Sequence, residues 1–287
     1  MSGQTLITTI PATVNAPAAP IAVEGAELAA IDAIGAGGFL WRAETARNAG
    51  QASFIWRDRI RDVPLAPYAG NGPAMVADGA IQYLNLPGNI ALDTPAGVSV
   101  MPYESQTHFA LIRLPAPPSA ALGVLFGNRR FFDGTAAATS DNVRWLGMTL
   151  SAKAVADDIG FHLQGNNTLV TMPDADVYQD DSWHLIEATF TKDVVTPANN
   201  LGKLFADGVQ RASANFVSAG GNALIPYAGT YERQLRVGAA GTTTPQAYGT
   251  FGLKALAIVP EDLSLVANAA RRTVVRSYLG GLVGLPL

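Results

Sequence analysis

Glycoside hydrolysis, nucleophilic hydrolysis and metal chemistry each need particular side chains at particular spacings, and the chain can be tested against them in turn. A retaining glycosidase holds two carboxyl groups roughly 5 Å apart. The glutamates are Glu24, Glu27, Glu44, Glu104, Glu187, Glu232 and Glu261, and no predicted strand carries two of them. There is no Gly-x-Ser-x-Gly elbow and no cysteine, and His108, His162 and His184 fall on separate predicted strands without an HExxH pairing. The histidines therefore read as packed or rim residues. Asp174, Asp176, Asp180 and Asp181 crowd four carboxylates ahead of a predicted strand, the kind of oxygen cluster that a hard cation prefers. Tyr178 and Gln179 stand where an EF-hand-like loop wants an oxygen ligand and a glycine, so a solvated acidic loop is the better reading, with calcium left open. The Gly-rich pieces at 35–38 and 238–241 lack the lysine or downstream acid of a nucleotide-binding loop and read as turns. These readings predict no catalytic residue, no metal site and no cofactor.

Recognition by loops is a further possibility. The long segments 128–142 and 216–234 carry aromatic and arginine residues, the usual anchors of a contact surface. Arg130, Phe132, Tyr227, Tyr231 and Arg233 are the weak candidates for ligand binding, with burial under neighbouring loops as the favoured alternative.

The elements that must position these groups are mostly strands. Short β-rich segments separated by turn residues run at 107–114, 121–127, 143–151, 159–164, 168–172, 183–191, 202–206, 234–238 and 249–259. Asp133-Gly134, Gly165-Asn166, Asp207-Gly208 and Gly220-Gly221 supply residues that tolerate positive φ, which predicts hairpins. Several strands are apolar on both faces, as expected of a layer packed on both sides. Strand alternation puts His184, Ile186, Ala188 and Phe190 on one face and Trp183, Leu185, Glu187 and Thr189 on the other. Glu187 then reads as a satisfied carboxylate among apolar neighbours, and Trp183 as a core residue whose N–H finds a carbonyl. One convincing helix is predicted over 262–280, with Arg271, Arg272 and Arg276 as dipole partners on a solvated face.

The 287 residues are 48% hydrophobic and 15% charged, with mean hydropathy +0.18, so part of the surface is expected to face other protein. Nineteen Lys and Arg against 23 Asp and Glu leave a net charge of −4 and no basic stripe for nucleic acid. Neither a signal peptide nor a bilayer-spanning stretch is predicted. Residues 1–22 are uncharged and Pro-rich and read as an extended arm, with Leu6, Ile7, Ile10 and Val14 as its partner-binding residues. The domain is then 23–287, including the helix.

Four segments in order resemble the laminin-G-like, concanavalin-type jelly roll: Ser182-Trp183-His184-Leu185-Ile186 after Asp180-Asp181, Lys203 to Val209 with its Asp-Gly tip, Leu235-Arg236-Val237-Gly238, and Gly249 to Ile258 followed by 260–265. Upstream, Phe54-Ile55-Trp56-Arg57-Asp58-Arg59, 73–76 and 81–84 resemble the family's opening region. The resemblance implies an all-β antiparallel sandwich, and the Glu-x-Asp-x-x-Glu motif of the family's β-glucan-cleaving members is absent. A sandwich of this kind with an uncharged arm and no export signal resembles accessory proteins of tailed phages. That implies a non-enzymatic virion protein, a capsid decoration or a tail or fibre component, assembled in the host cytoplasm. The arm would hold other virion proteins or further copies, and the sandwich would contact host surface glycan. The alternatives are a stand-alone carbohydrate-binding lectin and a polysaccharide hydrolase with unrecognised carboxylates.

Overall fold

The computed structural model describes residues 25–98, 100, 105–116, 122–128, 146–151, 158–163, 168–172, 178–191, 193, 195, 196, 201–215, 234–239, 245 and 248–287. The chain enters through helix α1 (Gly25–Ile34) and passes to β1 (Phe39–Arg47), β2 (Ile55–Asp58), β3 (Pro64–Pro67), β4 (Ala74–Asp78), β5 (Ile81–Pro87) and β6 (Leu92–Asp93). It continues through β7 (Gln106–Arg113), β8 (Leu122–Asn128), β9 (Leu146–Ser151), β10 (Asp158–Leu163), β11 (Thr168–Met172) and β12 (Trp183–Thr191). The last strands are β13 (Leu201–Ala206), β14 (Val209–Asn215), β15 (Leu235–Val237) and β16 (Thr250–Val259), followed by helix α2 (Ala269–Gly281).

All strand pairs are antiparallel and form two layers. The larger sheet runs β2-β1-β16-β7-β12-β13-β14, with β5 and then β4 added beside β16, and the smaller runs β3-β6-β15-β8-β9-β10-β11. The layers join where β2 pairs with β3. One apolar core lies between them: Ala110, Ile112, Ile186, Phe190, Leu256 and Ile258 from the larger sheet meet Leu65, Leu92, Phe126, Leu235 and Val237 from the smaller. A second core lies on the outer face of the larger sheet, where Phe109, Leu111, Leu185, Ala257 and Val259 pack against Ala30 and Ile34 of α1 and Val275 and Leu279 of α2. Strands β7 and β16 are therefore covered on both faces, which is why their sequences are apolar without clean alternation.

Local chemistry sets several of these elements. Asp207 and Gly208 hold φ of 49° and 80°, the paired left-handed values of a two-residue hairpin, and join β13 to β14. The Trp-Arg-Asp segment ends β2 in a turn organised by the buried Asp58, whose carboxylate accepts the backbone N–H groups of Leu40, Ile60 and Arg61.

The C-terminal helix departs from the prediction. It begins at Ala269, after a single 3-10 turn at Val266–Asn268, and not at residue 262. The cause is local pinning: Leu263 is buried and its N–H donates to Thr107 Oγ1, while Asp262 accepts from Ser264 N–H. The late start puts Arg271 and Arg272 near the positive end of the helix, so they are not dipole partners. Helix α1 was not predicted. Its alanine-rich sequence has no sharp apolar stripe, and the helix is anchored by burial of Ala30, Ala33 and Ile34 against α2 and the sheet.

Candidate functional site

The outer face of the smaller sheet carries the arrangement best suited to contact. In β15, Leu235 and Val237 face the inter-sheet core, so Arg236 faces outward. The register aligns it with Asp93 of β6 on one side and Gly127 of β8 on the other, and Asp93 with Ala66 of β3. Arg236 is fully buried and grips Asp93 in a two-pronged ion pair, Nε to Oδ1 at 2.7 Å and Nη2 to Oδ2 at 2.8 Å. Such a fork fixes both side chains. The Tyr68 ring lies 5.1 Å from the guanidinium carbon and is 42% exposed, a large aromatic surface facing solvent from a rigid support. The row continues in the backbone register through Gly127 of β8, beside Arg236, to Gly147 of β9, so the next two positions along it carry no side chain.

Other charged groups serve the fold. Glu187 is buried and its two oxygens accept from Arg272 Nε at 2.6 Å and Arg276 Nε at 2.7 Å, with both guanidinium groups over Phe205. The reading of Glu187 as a satisfied carboxylate agrees with this, while the reading of Arg272 and Arg276 as a solvated face is corrected: they hold α2 onto β12. Arg271 likewise pairs with Glu261 and donates to Ala33 O. Glu27, also buried, pairs with Arg42 and Arg59, and Glu44 with Lys254. These glutamates are engaged by cations as ion-pair partners.

The three histidines differ. His108 is buried between the layers beside Gln106 and Phe126, and burial pushes its imidazole down to about 3, so it is neutral. His184 lies between two carboxylates, Nδ1 at 2.7 Å from Asp207 Oδ2 and Nε2 at 3.2 Å from Asp180 Oδ1. The carboxylates sit at opposite ring nitrogens and cannot share one ion. Among the described residues no group of His, Asp and Glu is arranged to hold a metal. Asp174 and Asp176 of the acidic loop lie outside the described residues; Asp180 and Asp181 are exposed, while Tyr178 and Gln179 beside them are buried. The side chain of His162 lies outside what is described. Trp183 packs edge-on against Tyr83 on the outer side of the larger sheet, and its indole N–H meets no acceptor among the described residues, against the expectation of a carbonyl partner.

The loop candidates Arg130, Phe132, Tyr227, Tyr231 and Arg233, and the arm residues Leu6, Ile7, Ile10 and Val14, lie outside the described residues. Sequence reasoning missed Tyr68, Asp93 and Arg236 as a unit. The available signal was a charged residue between two core residues in Leu235-Arg236-Val237, whereas the two-residue strand holding Asp93 has no pattern to read. No helix among the described residues is long and apolar enough to cross a membrane.

These features define the chain as a two-layer antiparallel all-β protein. No family model and no curated protein matches it. Among solved structures, it is similar to a Trypanosoma rangeli sialidase in complex with 2,3-difluorosialic acid, with TM-score 0.51 and 14% identity over 96% of this chain and 36% of that one. The same sialidase in complex with 2,3-difluoro-KDN gives TM-score 0.50 and 12% identity over 85% of this chain and 32% of that one. Domain 4 of AbnA, a GH43 extracellular arabinanase from Geobacillus stearothermophilus in complex with arabinotriose, gives TM-score 0.48 and 14% identity over 85% and 97% of the respective chains. The chain thus spans about a third of the length of the sialidase chains, and at these identities the likeness is one of fold. The expectation of a non-enzymatic chain is corrected by these matches, because the fold occurs within chains of glycoside hydrolases. The missing Glu-x-Asp-x-x-Glu motif excluded only carboxylates borne on one strand, and hydrolases also assemble such groups from separate strands.

Proposed function

We propose that the chain recognises glycan through a jelly-roll sandwich of the laminin-G-like type, with the exposed Tyr68 ring on the outer face of the smaller sheet, braced from beneath by the buried Arg236–Asp93 fork, as the contact. The observation that carries this reading is the half-exposed Tyr68 ring seated on the buried Arg236–Asp93 fork. An exposed aromatic on a rigid support offers apolar area at little entropic cost. The fold shared with sialidase chains supports it by analogy. A place in a virion rests on residues 1–22, outside the described residues, and no observation made here favours it.

The test is titration of the full chain against a panel of neutral and sialylated oligosaccharides, with assay of the same mixtures for released sugar. Saturable binding that Tyr68→Ala weakens by about tenfold or more supports the reading. Binding that Tyr68→Ala leaves intact moves the contact elsewhere on the sandwich, and absence of binding across the panel defeats the proposal. Sugar release would assign hydrolysis to the chain itself.

A further inference from the structure

Two segments singled out by sequence, Asp180-Asp181-Ser182-Trp183-His184 and Asp207-Gly208, play no part in the proposed glycan contact. In the structure they meet at one side chain. His184 opens β12, and its ring nitrogens reach carboxylates from two separate turns: Asp207 at the tip of the β13–β14 hairpin and Asp180 in the turn before β12. Each carboxylate also holds backbone. Asp207 Oδ1 accepts the Leu185 N–H at 2.9 Å, and Asp180 Oδ1 accepts the Ser182 N–H at 2.8 Å. Asp181 takes a left-handed φ of 63° and donates its N–H to Leu114 O, which aims the turn at the histidine.

A neutral imidazole has one N–H and can donate to one carboxylate; donating to both requires the imidazolium. We propose that His184 is a proton-operated latch, tying the turn at 180–182 to the β13–β14 hairpin tip when doubly protonated and releasing one of them on losing a proton. The other titratable and charged groups that approach this place are Tyr178, Arg211 and Arg276. The Tyr178 ring is nearly perpendicular to the imidazole, with centroids 5.0 Å apart, and the Arg211 guanidinium of β14 lies 5.9 Å from the Tyr178 centroid. From α2, Arg276 approaches the hairpin tip at Gly208 and shares the single Glu187 carboxylate with Arg272. Burial opposes the charged form of His184, but hydrogen bonding and attraction from Asp207 and Asp180 outweigh it and hold the group above its ordinary value, while Asp180 is held below its own. The sign follows: the latch is fully formed below pH about 6.5, the unperturbed value for histidine, and is lost as pH rises through the raised value.

The experiment uses the full chain. Nitrogen NMR of the His184 ring is recorded from pH 5 to 9, together with backbone hydrogen exchange at Ser182 and Leu185 corrected for intrinsic rates. The expected result is a doubly protonated ring at pH 6, titration above 6.5, and loss of protection at one of the two amides through the same transition. That loss should be about tenfold for each pH unit by which the ring value is raised. Asp180→Asn should lower the ring's titration point while the hairpin tip stays protected. His184→Gln should abolish the pH dependence. A ring that titrates at or below 6.5 in the unmodified chain, or protection at both amides unchanged across its titration, overturns the latch. The Asp180→Asn arm decides the matter even if the His184 variant fails to fold.

Discussion

The outer faces of the two sheets each bury arginine against a carboxylate, and they do so to different ends. On the larger sheet the acid comes from a strand and the bases from a helix: Glu187 of β12 is held by Arg272 and Arg276 of α2. That pairing joins two elements and lies under them. On the smaller sheet, acid and base sit on neighbouring strands, Asp93 on β6 and Arg236 on β15, in register with one another. Joining those strands needs no ion pair, because backbone hydrogen bonds already do it. A buried charge pair is weak grounds for stability in itself, since desolvation consumes much of the attraction. The comparison therefore teaches that the Glu187 cluster is explained by docking of α2, whereas the Arg236–Asp93 fork links two neighbouring strands and, among the described residues, braces an exposed tyrosine.

The comparison can be broken most directly at Glu187. Glu187→Ala strands two guanidinium groups in the second core and should cost about 3–5 kcal/mol, the cost of leaving a buried charge unpaired. Urea unfolding measures this, and a change below 1 kcal/mol would show that α2 is held by its apolar face alone. Asp93→Asn removes the negative charge facing the buried Arg236 guanidinium and should fall toward the lower end of that range of about 3–5 kcal/mol, with loss of glycan binding alongside. If binding persists at full affinity, the fork is structural and the two faces are alike. Gly238→Ala comes next, at about 1–3 kcal/mol, because a Cβ there would stand 2.5 Å from the Ile90 carbonyl oxygen at a φ of 85°. Its thermal melt should shift without change at the larger sheet's outer face, which helix-region chemical shifts would report. Tyr68→Ala should change stability least, by about 0.5 kcal/mol or less, while carrying the loss of affinity. A large drop in melting temperature for this variant would recast Tyr68 as a packing residue.

Much of the fold was legible in the chain. The predicted strands 107–114, 183–191 and 249–259 appear as Gln106–Arg113, Trp183–Thr191 and Thr250–Val259, and the Asp207-Gly208 turn falls where residue chemistry places it. The two-faced alternation of β12 is also observed, with Ile186, Ala188 and Phe190 in the inter-sheet core and Leu185 in the other. The site was legible only in fragments. Arg236 stood out as a charge between core residues, but nothing near it in sequence announced Asp93, 143 residues away, or Tyr68. Helix α1 and the late start of α2 were missed because burial and the Leu263 contact to Thr107 decided them, and not a helical stripe or a capping residue.

What the sequence determines by itself is therefore what a few consecutive residues can determine: alternation along a strand, a tight turn that Asp-Gly readily adopts, and the apolar character of doubly covered strands. Tertiary structure alone decided which charges meet. Glu187 with Arg272 and Arg276, Arg236 with Asp93, and His184 with Asp180 and Asp207 are pairings across strands, turns and helices. The physical reason is range. Backbone propensity and side-chain alternation act over a few residues, whereas an ion pair needs only proximity, and proximity between distant segments is set by which strands the sheets place side by side.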